Sequence, residues 1–145
     1  MKLSYAALAF GAALAVGAPA MAQESSYVPT TVWEFSQIKV EPGQFQNYMD
    51  YLSGNYRKQM ELSKQIGDVV SYHIFEVNNP RKDEPDLVLA IEFKDYTTVA
   101  EKLAIQKKLM AAMATDPHRA EAAAGDRTKM RTEMGSVEMQ ELRFK

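Results

Sequence analysis

Apolar side chains recur along this chain with two spacings, one typical of strands and one typical of helices. Residues 31–40, TVWEFSQIKV, are rich in β-branched and aromatic side chains, as strands are. In residues 87–94, LVLAIEFK, successive side chains are expected to point to opposite faces of a sheet, as in a strand. Between these runs, Phe45, Tyr48, Met49, Leu52 and Tyr56 follow one another at the three- and four-residue spacing of a helix.

The remaining boundaries come from capping and turn residues. The first helix is expected to follow Pro42 and to end at Gly67, which suits a left-handed cap. A second strand at 68–77 is followed by the turn NNPRKDEPD, whose Asn, Pro and Asp residues are typical of loops. The later elements are a helix capped by Asp95, a helix from Asp116-Pro117 to about Met134 that Gly135 closes, and a last strand over VEMQELRF.

The order of these elements predicts the fold class. It is β-α-β-β-α-α-β, and the two late helices count as one interrupted crossover. This is the split pattern of a ferredoxin-like α+β fold. We therefore expect a four-stranded antiparallel sheet with helices on one face.

The first strand is apolar on both faces, which bears on assembly. Trp33 and Phe35 point one way, whereas Val32, Ile38 and Val40 point the other. Helices on one face leave the opposite face bare, and a bare apolar face of this size is expected to be covered. A second copy of the chain would cover it through a self-complementary contact, so we expect a homodimer.

The N-terminal segment differs in kind from the rest. Residues 1–22, MKLSYAALAFGAALAVGAPAMA, have one basic residue, a short apolar core and an A-x-A site, which predicts a secretory signal cleaved after Ala22. The apolar run is shorter than the roughly 20 residues that a bilayer crossing needs. We expect residues 23–30 to be a flexible lead-in and 31–145 to be a single domain. The protein would then be exported, most simply to a bacterial periplasm, with no membrane segment in its mature form.

Composition limits the partners and cofactors. The chain has 17 basic and 19 acidic side chains, a formal net charge of −2, and no cysteine. A mildly acidic surface argues against a nucleic-acid partner, which favours a basic stripe. With only two histidines and no cysteine we expect no metal site, and no cofactor is indicated. GxSxG, P-loop and GxGxxG motifs are all absent from the sequence.

Two segments carry a resemblance to a known family. IKVEPGQFQNYMDYL and LVLAIEFKDY resemble the strand–PG–helix entry and the third strand of the dimeric α/β-barrel superfamily, including antibiotic-biosynthesis-monooxygenase-like and NIPSNAP-like domains. The resemblance covers about residues 31–144 and implies a ferredoxin-like dimeric α/β barrel. These families include cofactor-free oxygenases, haem-degrading enzymes, isomerases and proteins of no known activity. Several use a pocket between sheet and helices, but no catalytic signature transfers residue by residue, because fold does not give function.

Five residues are candidates for a site. His73 lies within the strand VVSYHIFEV and Glu34 within the first strand, so we consider His73 as a general base oriented by Glu34. Trp33, Ser36 and Tyr72 are candidate ligand contacts. Each also has a structural alternative. His73 could be hydrogen-bonded within the sheet, Glu34 could form an ion pair, and the aromatic residues could be ordinary core or interface.

Two further groups of residues have both a functional and a structural interpretation. Tyr48, Tyr51 and Tyr56 could line an aromatic pocket, or they could be core. The basic residues of the third helix, Arg127 and Arg131 among them, are interpreted as a solvated face.

The function hypothesis is accordingly broad. We expect an exported protein that binds an aromatic or apolar small molecule, in one version a cofactor-independent oxygenase or isomerase. The alternative is a non-catalytic ligand carrier or a structural dimer.

Overall fold

Four antiparallel strands form one sheet in the order β2-β3-β1-β4 in the computed structural model, which describes residues 24–145. The predicted signal lies outside these residues. The elements are β1 Tyr27–Val40, α1 Phe45–Tyr51, a π-helical segment Leu52–Tyr56, α2 Arg57–Ile66, β2 Val69–Glu76, β3 Leu87–Phe93, α3 Val99–Ala112, α4 Pro117–Arg127 and β4 Arg131–Phe144. The predicted element order and the ferredoxin-like fold class are both confirmed.

Two strands are longer than the sequence pattern predicts. β1 begins at Tyr27, inside the expected lead-in, because its first residues pair with the end of β4. β4 begins at Arg131, inside the expected third helix. Gly135, expected to close that helix, instead lies in the strand with φ +135° beside a β-bulge, where Ile38 pairs with Glu133 and Gln37 with Gly135. A glycine at a bulge adopts this backbone without steric cost.

Two of the four predicted helix caps, Gly67 and Asp116, are confirmed, whereas Asp95 and Gly135 are not caps. Gly67 has φ +88° and caps α2 in the left-handed conformation, as expected. Asp116 caps α4, with Pro117 in its first turn. The expected cap Asp95 is wrong for α3: Thr98 is the N-cap, because its side chain and that of Glu101 form a reciprocal capping box.

One continuous helical segment, α1 through the π turn to α2, packs on the sheet. Tyr48, Leu52, Tyr56 and Met60 are all buried and stand four residues apart. At 3.6 residues per turn, each four-residue step rotates about 40° beyond a full turn, so the stripe would drift off the sheet. The wider π turn takes up part of this excess and keeps the four side chains facing the core. They pack with Ile38, Leu87 and Leu89 of the sheet.

The other two helices cover the sheet loosely. Neither α3 nor α4, both fully described, has a buried residue. At the adjacent edge of the sheet, every residue of β4 except Arg131 is exposed. The helix face is therefore sealed over β3 and left open as a cleft towards β1 and β4.

The opposite face of the sheet carries a row of rings. Phe35, Trp33, His73 and Phe75 stack in that order, with neighbouring ring centroids 6.0, 6.0 and 5.9 Å apart. Ala90 lies between Phe35 and His73 in the register and is fully buried. Exposed apolar residues, Phe75, Val137 and Met139 among them, continue the surface. We refer to this side as the open face.

Candidate functional site

A cavity of about 650 Å³ lies between α3–α4 and the long helix, by which we mean the continuous segment from α1 through the π turn to α2. We call it the chamber. Its apolar lining comes from α3, α4, the turn between them and the residue before β4, and its polar lining comes from the long helix, α3, the same turn and α4. The apolar side chains are Leu109, Met110, Met113, Ala114, Ala120, Ala123 and Met130, and the polar ones are Tyr51, Asn55, Gln59, Gln106, Thr115, Arg119, Asp126 and Arg127.

Two smaller cavities adjoin the chamber. The inner recess, about 170 Å³, shares Tyr51, Gln59 and Arg127 with it and reaches the sheet. The acidic recess, about 310 Å³, shares Gln106 and Leu109 with it. The acidic recess is lined by Glu34, Asp68, Asp95 and Glu138, with Lys102 as its one basic residue. The cleft therefore has ends of different charge.

The π turn also positions the polar wall of the chamber. Tyr51, Asn55 and Gln59 stand four residues apart, one position before the buried stripe of the same helix. The same compensation that keeps Tyr56 in the core therefore keeps these three side chains on the cleft. Single-turn π segments within α-helices are frequent at functional sites.

Tyrosine rings and arginine side chains form the inner recess. Tyr48 stacks on Tyr51 with ring centroids 5.8 Å apart. The guanidinium of Arg127 lies 5.4 Å from the Tyr51 ring, and that of Arg131 lies 5.9 Å from the Tyr48 ring. Such cation–π contacts hold the guanidinium groups over the rings in a partly desolvated place. Arg131 Nη1 also donates to Glu133 Oε2 over 2.9 Å.

Two buried polar atoms of the inner recess are unpaired within the described part of the chain. They are the hydroxyl of Tyr56 and the Nε of Arg131. Both residues line the recess, and Tyr56 is only 8 % exposed. A buried polar atom without a partner costs about 1–3 kcal/mol, so such atoms call for an explanation.

Burial also keeps the two innermost tyrosines protonated. It raises the pKa of Tyr48 to about 12, although the positive charge of Arg131 opposes this. The pKa of Tyr56 is raised further, with burial again the main cause and the neighbouring phenol of Tyr48 next. Both hydroxyls are therefore hydrogen-bond donors throughout the neutral range.

The structure separates the five predicted site residues between the two faces of the sheet. Glu34, Ser36 and Tyr72 lie on the helix face, where Ser36 Oγ donates to Glu34 Oε1 over 3.3 Å. Trp33 and His73 lie on the open face and stack on each other. Glu34 and His73 thus do not meet within the chain. Ser36 lines the inner recess and Glu34 the acidic recess, whereas Tyr72 donates its hydroxyl to Glu61 and lines none of the three cavities.

Neither Glu34 nor Glu92 forms an ion pair among the described residues. Lys39 pairs with Asp86 over 2.9 Å instead. Glu92, the other carboxylate within an apolar strand, accepts from Ser71 Oγ over 2.6 Å on the open face.

Arg127 and Arg131 are the residues that sequence reasoning placed wrongly, since both were interpreted as solvated. Arg127 lies on the side of α4 that also carries Ala120 and Ala123, three and four residues apart, and this stripe of small residues was the available signal. Arg131 gave no such signal, because its position depends on where β4 begins.

Residues 24–145 contain neither a cluster of metal ligands nor a helix that could span a membrane. No three His, Asp or Glu side chains there are grouped as ligands of a metal ion would be. No helix in this range combines the length and the apolar character that a membrane crossing requires.

Comparisons with known proteins bear on the fold. HapK from Hahella chejuensis is similar over 76 % of this chain and 91 % of its own, with a TM-score of 0.51 and 9 % identity. A dimeric protein of unknown function and ferredoxin-like fold from Bacteroides fragilis matches over 79 % of this chain and 96 % of its own, at a TM-score of 0.37 and 13 % identity. No family model and no curated protein matches the sequence. The likeness to HapK confirms the ferredoxin-like fold that the resemblance to the dimeric α/β-barrel superfamily implied.

The raised tyrosine pKa values predict an alkaline loss of stability. The unfolded chain releases its phenol protons near pH 10, whereas folded Tyr48 holds its proton to about pH 12, so the folded state binds more protons in between. The free energy of unfolding should therefore fall as pH rises from about 10 to 12. The free energy of unfolding, measured with urea, should decrease less between pH 8 and pH 10.5 in Tyr48→Phe than in the unmodified protein. Tyr96→Phe, which changes an exposed tyrosine, should not alter this decrease. Equal slopes for both variants would contradict the burial argument.

Proposed function

We propose that this protein is an exported homodimer that binds an organic small molecule in the chamber between its long helix and α3–α4. The observation that carries the proposal is the chamber of about 650 Å³, whose surface is mostly apolar and carries polar side chains from the long helix, α3 and α4. Ligand sites are typically about 300–1,000 Å³ and have this composition.

The lining favours a ligand with an aromatic or otherwise apolar body. Met110, Met113 and Met130 supply flexible, polarisable side chains that adapt to flat or irregular ligands. Tyr51 adds an aromatic face, and the amides of Asn55 and Gln59 provide hydrogen bonds at the wall.

A ligand carrier is supported better than an enzyme that uses His73 with Glu34. A general base must be within hydrogen-bond reach of the proton that it removes. Glu34 faces the acidic recess and His73 the open face, so one bound molecule in the cleft cannot contact both. An oxygenase or isomerase would have to use Glu34 with Ser36 instead, and that role stays a prediction.

The open face supports the homodimer. Val137 and Met139 of β4 are 43 % and 52 % exposed and lie beside the aromatic row, as their pairing with Phe35 and Trp33 shows. A contiguous apolar surface on a sheet favours burial against a partner, and a two-fold contact between copies is the commonest way. Trp33 and His73 would then be interface residues rather than ligand contacts.

Export rests on the sequence of residues 1–22 alone, with its basic start, apolar core and A-x-A site. The ligand would accordingly be met outside the cytoplasm.

Filling the chamber should weaken binding of a neutral apolar probe. N-phenyl-1-naphthylamine should bind the mature protein with a rise in fluorescence, and Ala123→Trp should weaken its affinity about tenfold or more, because the indole occupies the chamber. Ala124→Trp is the matched control, since Ala124 is exposed on the same helix and does not line the chamber. Equal affinity of the two variants for the probe would show that the probe binds elsewhere and would contradict the proposed site.

A charge on the open face should dissociate the dimer. The mature protein should have the mass of a dimer at micromolar concentration in light scattering, and Val137→Glu should reduce it to a monomer because it buries an unpaired carboxylate. Val99→Glu makes the same change at an exposed position on α3 and should leave the dimer intact. A monomeric mature protein would contradict the dimer outright.

A further inference from the structure

We propose that the inner recess binds a carboxylate group of the ligand through the Tyr56 hydroxyl and the Arg131 guanidinium. The apolar body of that ligand would extend into the chamber. This inference rests on the proposed binding function and adds the chemical class of the ligand.

The two unpaired atoms belong to residues that line the same small space. The Tyr56 hydroxyl and Arg131 Nε are both buried, both lack a hydrogen-bond partner among the described residues, and both residues line the inner recess. Tyr56 is more than nine-tenths buried, at 8 % exposed, so its hydroxyl is not simply hydrated at the surface. An occupant of the recess would satisfy both atoms at once.

Both atoms offer a proton, so the occupant must accept. An arginine Nε can only donate, and a tyrosine hydroxyl that remains protonated donates readily. Arg131 already directs Nη1 at Glu133 Oε2, which leaves its Nε side for another acceptor. A carboxylate accepts two hydrogen bonds in one plane, a geometry that suits a guanidinium and a neighbouring hydroxyl.

The charge of the recess fits one negative charge. Its charged side chains are Arg127, Arg131 and Glu133, which leaves one positive charge in excess. Arg131 is paired with Glu133, whereas Arg127 has no ion pair within residues 24–145. A monoanion would balance this charge, and desolvation beside the tyrosine rings would strengthen the attraction.

The far end of the cleft fixes the direction of the ligand. The acidic recess has four carboxylates, including Glu34 and Glu138 paired directly across β1 and β4, and one lysine. An anionic group is repelled there and attracted to the inner recess. The carboxylate end should therefore point towards the arginines and the apolar body away from them.

A matched pair of probes tests the assignment on the mature protein. 2-Naphthoate and 2-naphthamide have nearly the same shape and differ in charge. By calorimetry, naphthoate should bind about tenfold more tightly than naphthamide. Arg131→Gln should remove this preference, whereas Arg143→Gln, at the far end of the same strand, should retain it.

Tyr56→Phe keeps the test decisive even if Arg131→Gln fails to fold. It deletes only the unpaired hydroxyl, so the melting temperature of the free protein should be unchanged or raised. Its affinity for naphthoate should nevertheless fall about fivefold, with naphthamide little affected. A hydroxyl with a purely structural role would show no change in naphthoate affinity.

Three results would overturn the inference. In the first, naphthoate and naphthamide bind equally, which removes the carboxylate site while the Ala123→Trp result still supports the chamber. In the second, naphthoate is preferred but the preference survives in both Arg131→Gln and Tyr56→Phe. In the third, neither probe binds although N-phenyl-1-naphthylamine does, which again separates the failure of this inference from that of the proposed function.

Discussion

A four-stranded sheet has two faces to cover, and within residues 24–145 only one helical segment packs tightly against them. The segment from α1 through the π turn to α2 buries Tyr48, Leu52, Tyr56 and Met60 against β3 and its neighbours. α3 and α4 cover the rest of the helix face, and neither helix has a buried residue. The cleft, its polar walls and the exposed second face all follow from this uneven cover.

The uneven cover has an energetic cost that a ligand would offset. Unpaired atoms at Tyr56 and Arg131 each cost about 1–3 kcal/mol, a substantial part of the stability of a domain this size. Other polar groups at the sheet are paired: Asp86 accepts from both Lys39 Nζ and the backbone N–H of Val40. The unpaired polar atoms lie in the inner recess, and unsatisfied groups of this kind are expected at a site that serves binding.

Most of the fold could be predicted from local signals, because its caps and strand periods agree with the final structure. Gly67, Asp116 and Pro117 act through their own backbone preferences, so the local sequence predicts their positions. The local sequence does not predict where β4 begins, because Arg131 joins the strand by pairing with Val40, a residue far away in the chain. Alanine-rich, charged residues favour helix locally, and tertiary pairing overrides that preference.

The candidate site was harder to predict for the same reason. Strand alternation separates Glu34 from Trp33, yet only the register of β1, β3 and β2 decides that His73 shares a face with Trp33. The three tyrosines were recognisable as pocket candidates, whereas the π turn that aligns them leaves no clear sequence mark. Arg127 and Arg131 reach the recess from different elements, so no spacing relates them.

The most direct test of the account is methyl NMR of the methionines, which lie on both sides of the sheet. With N-phenyl-1-naphthylamine added to protein carrying ¹³C-labelled methionine methyls, the resonances of Met110, Met113 and Met130 in the chamber should shift. Those of Met60 in the core and Met139 on the open face should stay in place. Shifts at Met139 with the chamber methyls unmoved would contradict the account, because they would place the ligand on the open face.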